Sequence, residues 1–147
     1  MKKNKIVPCI WFNNTNVTDI IDYYKNIFGE NFKFNDVIPL GDTPDGYGEM
    51  CEVEIFEQKY TLMSTANAHH SLNDAISFII SCVDQNEIDK YWNYFTKDGE
   101  ESQCGWCIDK FGLRFQIVPE NLEDLMTSPK AWEVLMGQQK IVISEFL

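Results

Sequence analysis

The sequence predicts an α+β fold made of two copies of one strand–helix–strands unit, followed by a C-terminal helical extension. Three observations predict it. An apolar run, Ile6 to Phe12, leads through Asn16 into a segment of helical period that stops at Gly29. A second apolar run, Ile76 to Val83, leads through Asp84 into another such segment that stops at Gly99. Strand-like stretches follow each, and helical character returns only after Pro119. A unit of this kind buries its core by pairing with its copy, so the repeat constrains the fold more than any single element. It also points to the cleft between the copies as the place for a ligand.

The elements read as follows. Residues 6–12 form a strand with an irregular entry, because Pro8 cannot donate to a ladder. Asn16 is an N-cap with Asp19 at the third helical position, where an acceptor and a negative charge both help. Val17, Ile20, Ile21, Tyr24, Ile27 and Phe28 then recur at helical spacing, and Gly29 supplies the C-terminal cap. Residues 32–39 are a strand. Two Pro/Asp/Gly signals make residues 41–48 a loop, with a mobile flap as the functional alternative. Strands follow over 49–56 and 59–65, turning at Glu57-Gln58; Glu52 and Glu54 alternate with Cys51, Val53 and Ile55 as on a half-exposed strand. Residues 66–74 are a polar linker and 75–83 a nearly continuous apolar strand. Asp84 and Glu87 make a capping box for a helix with the stripe Ile88, Tyr91, Trp92 and Phe95. A last strand pair, 102–108 and 113–118, turns through Asp109-Lys110-Phe111-Gly112. Short helices near 120–127 and 129–137 precede an apolar tail, Ile141 to Leu147, which must pack on the body or on a second subunit.

The chain has 147 residues and 44% hydrophobic content, which suits one domain with a real core. Module one is expected over about 5–66, module two over about 74–119, and the extension over 120–147. No apolar run approaches the ~20 residues that span a bilayer. The basic start, Met-Lys-Lys-Asn-Lys, is not followed by a long apolar stretch, so no signal peptide, no membrane partner and a cytoplasmic location are expected. A net charge of −11, with Arg114 the lone arginine, argues against a nucleic-acid surface, and no nucleic-acid partner is expected. Five cysteines, an odd number, argue for reduced core thiols rather than a disulfide framework.

Three phrases carry a family resemblance: Asp22-Tyr23-Tyr24-Lys25-Asn26-Ile27-Phe28-Gly29, Asn73-Asp74-Ala75-Ile76-Ser77-Phe78, and the run from Gln103 to Pro119 that contains Asp109-Lys110-Phe111-Gly112-Leu113-Arg114-Phe115-Gln116. Together with the repeat they resemble the vicinal oxygen chelate superfamily of glyoxalases, dioxygenases and fosfomycin or bleomycin resistance proteins. Within it they are most similar to the PhnB-like branch, sometimes labelled 3-demethylubiquinone-9 3-methyltransferase. The resemblance implies two βαβββ modules whose mixed sheets curve around a cavity, in a homodimer. In metal-dependent members four inward side chains, mostly His and Glu, hold one divalent ion that stabilises an oxyanion on the substrate.

The same resemblance locates those four places here. The first ligand precedes the first helix cap by about seven residues, which points to Cys9; the repeat points to Ser77, with Phe78 one slip away. The last is the Glu of a D-P-x-G-x-x-x-E pattern, where Asp109 and Gly112 match but Gln116 replaces Glu; its counterpart in the first module is Thr61. Neutral Ser, Thr and Gln are weak ligands for a hard ion, and one Cys does not rescue them. No metal and no cofactor are therefore expected, and no glyoxalase-type proton transfer, since no Glu is in place to move the proton.

A cavity with useful lining remains. Alternation puts Cys9 and Trp11 on one face, and Arg114 and Gln116 on one face. Arg114, beside Trp11 and Gln116, can anchor an anionic or amide-bearing ligand; its plain alternative is a pair with a surface acid. Cys104-Gly-Trp-Cys107 has redox-pair spacing but lies in a strand-like stretch, without the helix N-terminus that lowers a thiol pKa. His69 and His70 read as solvated linker residues. Gly46-Tyr47-Gly48 precedes a strand, so nothing in it supports a methyl-donor site. The expected function is that of a metal-free binding protein for a small organic ligand, with Cys9, Trp11, Thr61, Ser77, Trp106, Arg114 and Gln116 in contact with it. The alternatives are an enzyme of the same fold, metal-dependent or using Cys9 as nucleophile, and a dimerisation module with a filled cavity.

Overall fold

In the computed structural model, which describes residues 4–147, the chain divides between Leu72 and Asn73 into two units. The first holds β1 (Cys9–Asn13), α1 (Val17–Phe28), β2 (Phe32–Phe34), β3 (Ile38–Thr43), β4 (Gly46–Ile55) and β5 (Gln58–Thr65). Its sheet runs β1-β5-β4-β2, with β3 also on β4; β1 is parallel to β5 and the other pairs are antiparallel. Helix α1 starts as its sequence demands. The Asp19 N–H donates to the Asn16 side chain at 2.7 Å, and Gly29 ends the helix at φ +57, a backbone conformation that costs glycine little. One face of the sheet, with Ile10, Phe12, Cys51, Val53 and Leu62, is buried on the side of α1 and its Ile20, Ile21, Tyr24 and Phe28.

Four expectations shift here. The first strand begins at Cys9 rather than Ile6; the Pro8 carbonyl still accepts from the Thr61 N–H at 2.9 Å, but proline offers no donor in return. The strand expected over 32–39 breaks into β2 and β3, because Asn35 and Asp36 suit a sheet poorly. Residues 41–48 are not a loop or flap. They are the arms of a tight β3–β4 hairpin turning at Pro44-Asp45, where the Asp45 N–H donates to Thr43 Oγ1 at 3.1 Å and that hydroxyl donates to the Gly46 carbonyl at 2.7 Å. The β4–β5 turn falls one residue early, on Phe56 and Glu57, both at positive φ (46° and 68°) as a type I′ hairpin requires.

The second unit is β6 (Phe78–Cys82), α2 (Gln85–Lys97), β7 (Glu100–Glu101), β8 (Trp106–Ile108) and β9 (Arg114–Pro119), a βαβββ order with sheet sequence β6-β9-β8-β7. The Glu87 N–H donates to Asp84 Oδ1 at 2.9 Å, and Glu87 Oε2 accepts from the Val83 N–H at 2.7 Å, one residue beyond the usual box. The strand expected from 102 is shortened to β8, since Cys104 (φ 58°) and Gly105 (φ 84°) turn left-handed before it. Two short helices, α3 (Leu122–Leu125) and α4 (Ala131–Met136), carry the chain to a tail that packs on its own unit. Ile141 is fully buried and Gln85 clamps the backbone around it. Gln85 Nε2 donates to the Ile141 carbonyl and its Oε1 accepts from the Ile143 N–H, both at 2.9 Å.

Candidate functional site

Each sheet buries one face under its own helix and leaves the other open, and the open faces carry the expected site residues. In β9, Phe115 and Ile117 are buried while Arg114 and Gln116 are half-buried. The Phe115 ring stacks on Phe95 of α2 at 4.2 Å between centroids, which fixes Gln116 on the opposite face. Gln116 Nε2 donates to Ser77 Oγ at 2.8 Å. Ser77 is thus the open-face residue, whereas Phe78 lies 6.1 Å from the Phe115 ring on the buried side. Trp106 is the Cα partner of Gln116 across β8–β9, so Ser77, Gln116 and Trp106 are neighbours.

The turn before β9 explains how Arg114 is held. Asp109, 3% exposed, accepts from the N–H groups of Phe111 at 2.8 Å and Leu113 at 2.9 Å. Gly112 sits at φ +90 and its N–H donates to the Asp109 carbonyl at 3.0 Å. The two family-matching positions, Asp109 and Gly112, therefore build the turn and touch no ligand face. Arg114 Nη1 donates to the Gly112 carbonyl and Nε to Asp74 Oδ1, both at 2.8 Å. The pair is lopsided: the Arg114 side chain is 17% exposed and that of Asp74 75%. The plain alternative for Arg114, an ion pair with a surface acid, is thus what the chain makes.

In the first unit Cys9 and Thr61 are Cα partners on β1 and β5, again a neighbouring pair. Trp11 follows on the same face, its Nε1–H donating to Thr65 Oγ1 at 2.8 Å. His69 is exposed in the linker, as the sequence suggests, with its side chain 62% accessible, its Nε2 2.9 Å from Asp45 Oδ1 and its ring 5.3 Å from Trp11. Asp45 sits at the tip of the β3–β4 hairpin, so no local spacing could have announced this contact.

The donor set does not fit a hard divalent ion. Cys9, Thr61, Ser77 and Gln116 offer no carboxylate and no imidazole, and Gln116 and Ser77 bond to each other. Among the described residues, no three His, Cys, Asp or Glu side chains gather where they could hold a metal. Burial raises the Cys9 thiol above its ordinary pKa, the opposite of what a nucleophile needs. The Cys104/Cys107 pair is no better placed. Cys104 lies in a turn, and Cys107 is fully buried with its thiol pushed up to about 12, first by desolvation and then by Asp109. The Cys107 thiol thus stays protonated near neutral pH. An aromatic disulfide reagent at that pH should therefore label Cys9 and Cys104 in the native protein, and Cys51, Cys82 and Cys107 only after denaturant. Gly46 and Gly48 belong to β4, an arm of the hairpin, and not to a turn after a parallel strand. No helix of the described residues is long and apolar enough to cross a membrane.

Comparison with known proteins agrees with this architecture. Residues 4–118 match the family described as 3-demethylubiquinone-9 3-methyltransferase. Among curated proteins none matches the chain. In structure the chain is similar to the PhnB protein from Bacillus cereus, with TM-score 0.64 and 17% identity over 78% of this chain and 99% of that one. A protein from Pseudomonas aeruginosa gives TM-score 0.59 at 17% identity, over 80% and 98% of the two chains. The fosfomycin resistance protein FosX from Listeria monocytogenes, in complex with Mn(II) and sulfate, gives 0.51 at 15% identity, over 79% and 92%. PhnB and FosX are vicinal oxygen chelate proteins, and at these identities the likeness is one of fold.

Proposed function

The chain belongs to the 3-demethylubiquinone-9 3-methyltransferase family, the PhnB-like branch of the vicinal oxygen chelate fold, and on that premise we propose that it binds a small organic ligand without a metal. The hydrogen bond between Gln116 and Ser77 carries this reading. Two of the places where a metal-dependent relative would set ligating side chains here hold neutral groups committed to each other. Cys9 and Thr61, the other two, are neutral neighbours as well. On the open sheet face of the second unit the ligand touches Ser77, Trp106, Arg114 and Gln116, and Cys9, Trp11 and Thr61 form the equivalent face of the first unit. Aromatic rings give it area, and amide and hydroxyl groups fix its orientation.

Arg114 is the anchor for a carboxylate or amide on the ligand. Its guanidinium is mostly buried, whereas Asp74 reaches it from solvent, so a ligand carboxylate can take the place of Asp74 at little cost. A cytoplasmic homodimer, as in many proteins of this fold, completes the proposal, and sedimentation would report it.

A thermal-shift screen of small organic acids and amides, followed through tryptophan fluorescence, tests the reading. Compounds that bind the native state raise the melting temperature by an amount that grows with the logarithm of their concentration above Kd. For such a compound, Arg114→Ala should weaken affinity about tenfold to a hundredfold, the range of a charge-assisted hydrogen bond. Unchanged affinity would remove Arg114 from the site.

A further inference from the structure

On the first unit, one rung of the sheet beyond the Cys9–Thr61 pair, lies a hollow of about 440 Å³ that uses none of the residues assigned above. That volume is typical of small-molecule pockets. Its rim includes Val7, Lys33, Asn35, Glu52, Glu54 and Lys59. The register explains the charge pattern. Glu54 of β4 has Lys33 of β2 as its Cα partner on one side and Lys59 of β5 on the other. Glu52 is the partner of Thr61, and side chains two apart on a strand share a face, so all four charges stand on the open face. The result is a plus–minus–plus row with a second carboxylate beside it.

Lys33, Glu54 and Lys59 stand side by side, yet among the described residues none of them is in an ion pair. Holding two long, exposed side chains together costs rotamer entropy that their screened attraction barely repays. A small rigid ligand brings two charges already fixed relative to each other, so on binding only the protein's side chains lose rotamer freedom. A plain anion placed on either lysine would meet Glu54, and a plain cation on Glu54 would meet both lysines. A molecule bearing both signs a few ångströms apart satisfies the row. The chain as a whole carries −11, so two lysines on one rung beside a hollow are a local exception to its charge.

We infer that this hollow binds a small zwitterion of the α-amino acid class, its carboxylate on Lys33 or Lys59 and its ammonium on Glu54 or Glu52. Val7, half-buried at the rim, faces the ligand's side chain. The inference stands apart from the ligand reading above, because none of the residues lining this hollow is among those assigned there.

The test is calorimetric titration of the full chain with each standard L-amino acid, and with the N-acetyl and amide derivatives of any that binds. The derivatives delete one charge each. At least one amino acid should bind saturably, and both derivatives should bind at least about tenfold more weakly, as should the parent to Glu54→Gln and to Lys33→Met/Lys59→Met. These residues are on the surface, and unchanged circular dichroism would exclude misfolding. Arg114→Ala should leave this binding intact. No binding by any amino acid, equal binding by the N-acetyl derivative, or full affinity in Glu54→Gln would overturn the inference.

Discussion

Phe95→Ala should destabilise the protein by about 3–5 kcal/mol, the range for removing a fully buried aromatic ring. Phe95 has no exposed surface. Its ring lies nearly parallel to that of Phe115, with a 7° interplanar angle, and also stacks on Tyr91 at 6.3 Å. Truncation leaves a cavity where α2 should back β9, so the strand carrying Arg114 and Gln116 loses its support. Urea unfolding followed by circular dichroism measures the loss, with the midpoint falling and the slope unchanged. A loss under about 1 kcal/mol would mean that the ring does not serve the core.

Gly99→Ala should cost about 3 kcal/mol, the upper end for overpacking. Residue 99 follows α2, where a C-cap glycine is ordinarily wanted for its left-handed backbone. Here the reason is different. A Cβ at this position would lie 2.0 Å from the Ile108 carbonyl oxygen and 2.5 Å from that of Phe95, both main-chain atoms that cannot swing aside. The smallest side chain therefore forces β8 and the end of α2 apart. Gly29 is the contrast: an added Cβ meets nothing within 4 Å there, and the cost of Gly29→Ala comes from φ +57 alone. Thermal melts of the two variants should place Gly99→Ala well below Gly29→Ala. The reverse order would show that β8 gives way easily.

These two glycines also mark the limit of what the sequence reveals. Both could be read as helix ends, because a stop to helical period is a local signal, as are the caps at Asn16 and Asp84. That Gly99 is demanded by a strand passing close by is a tertiary fact. The same division runs through the site. The alternation that puts Arg114 and Gln116 on one face, and Cys9 with Trp11 on another, is local and was legible. The resemblance implied that Ser77, or Phe78 one slip away, would approach Gln116. The Arg114–Asp74 pair joins residues 40 apart, and the His69–Asp45 pair depends on a hairpin tip meeting a linker. Periodicity carries neither. The hairpin over 41–48 was misread for a related reason. Pro44, Asp45 and Gly46 announce a turn, but arms rich in glycine and aspartate do not announce strands, and Gly46 is needed there because a Cβ would come within 2.6 Å of Ala66.

The most direct measurement is elemental analysis of the purified chain together with calorimetric titration by Mn, Ni, Zn and Fe(II) ions. Cys9, Thr61, Ser77 and Gln116 leave a hard cation without a charged or imidazole donor, so the expected result is no stoichiometric uptake and an unmoved melting temperature. One equivalent of metal held tightly, with the melting temperature rising to match, would contradict it.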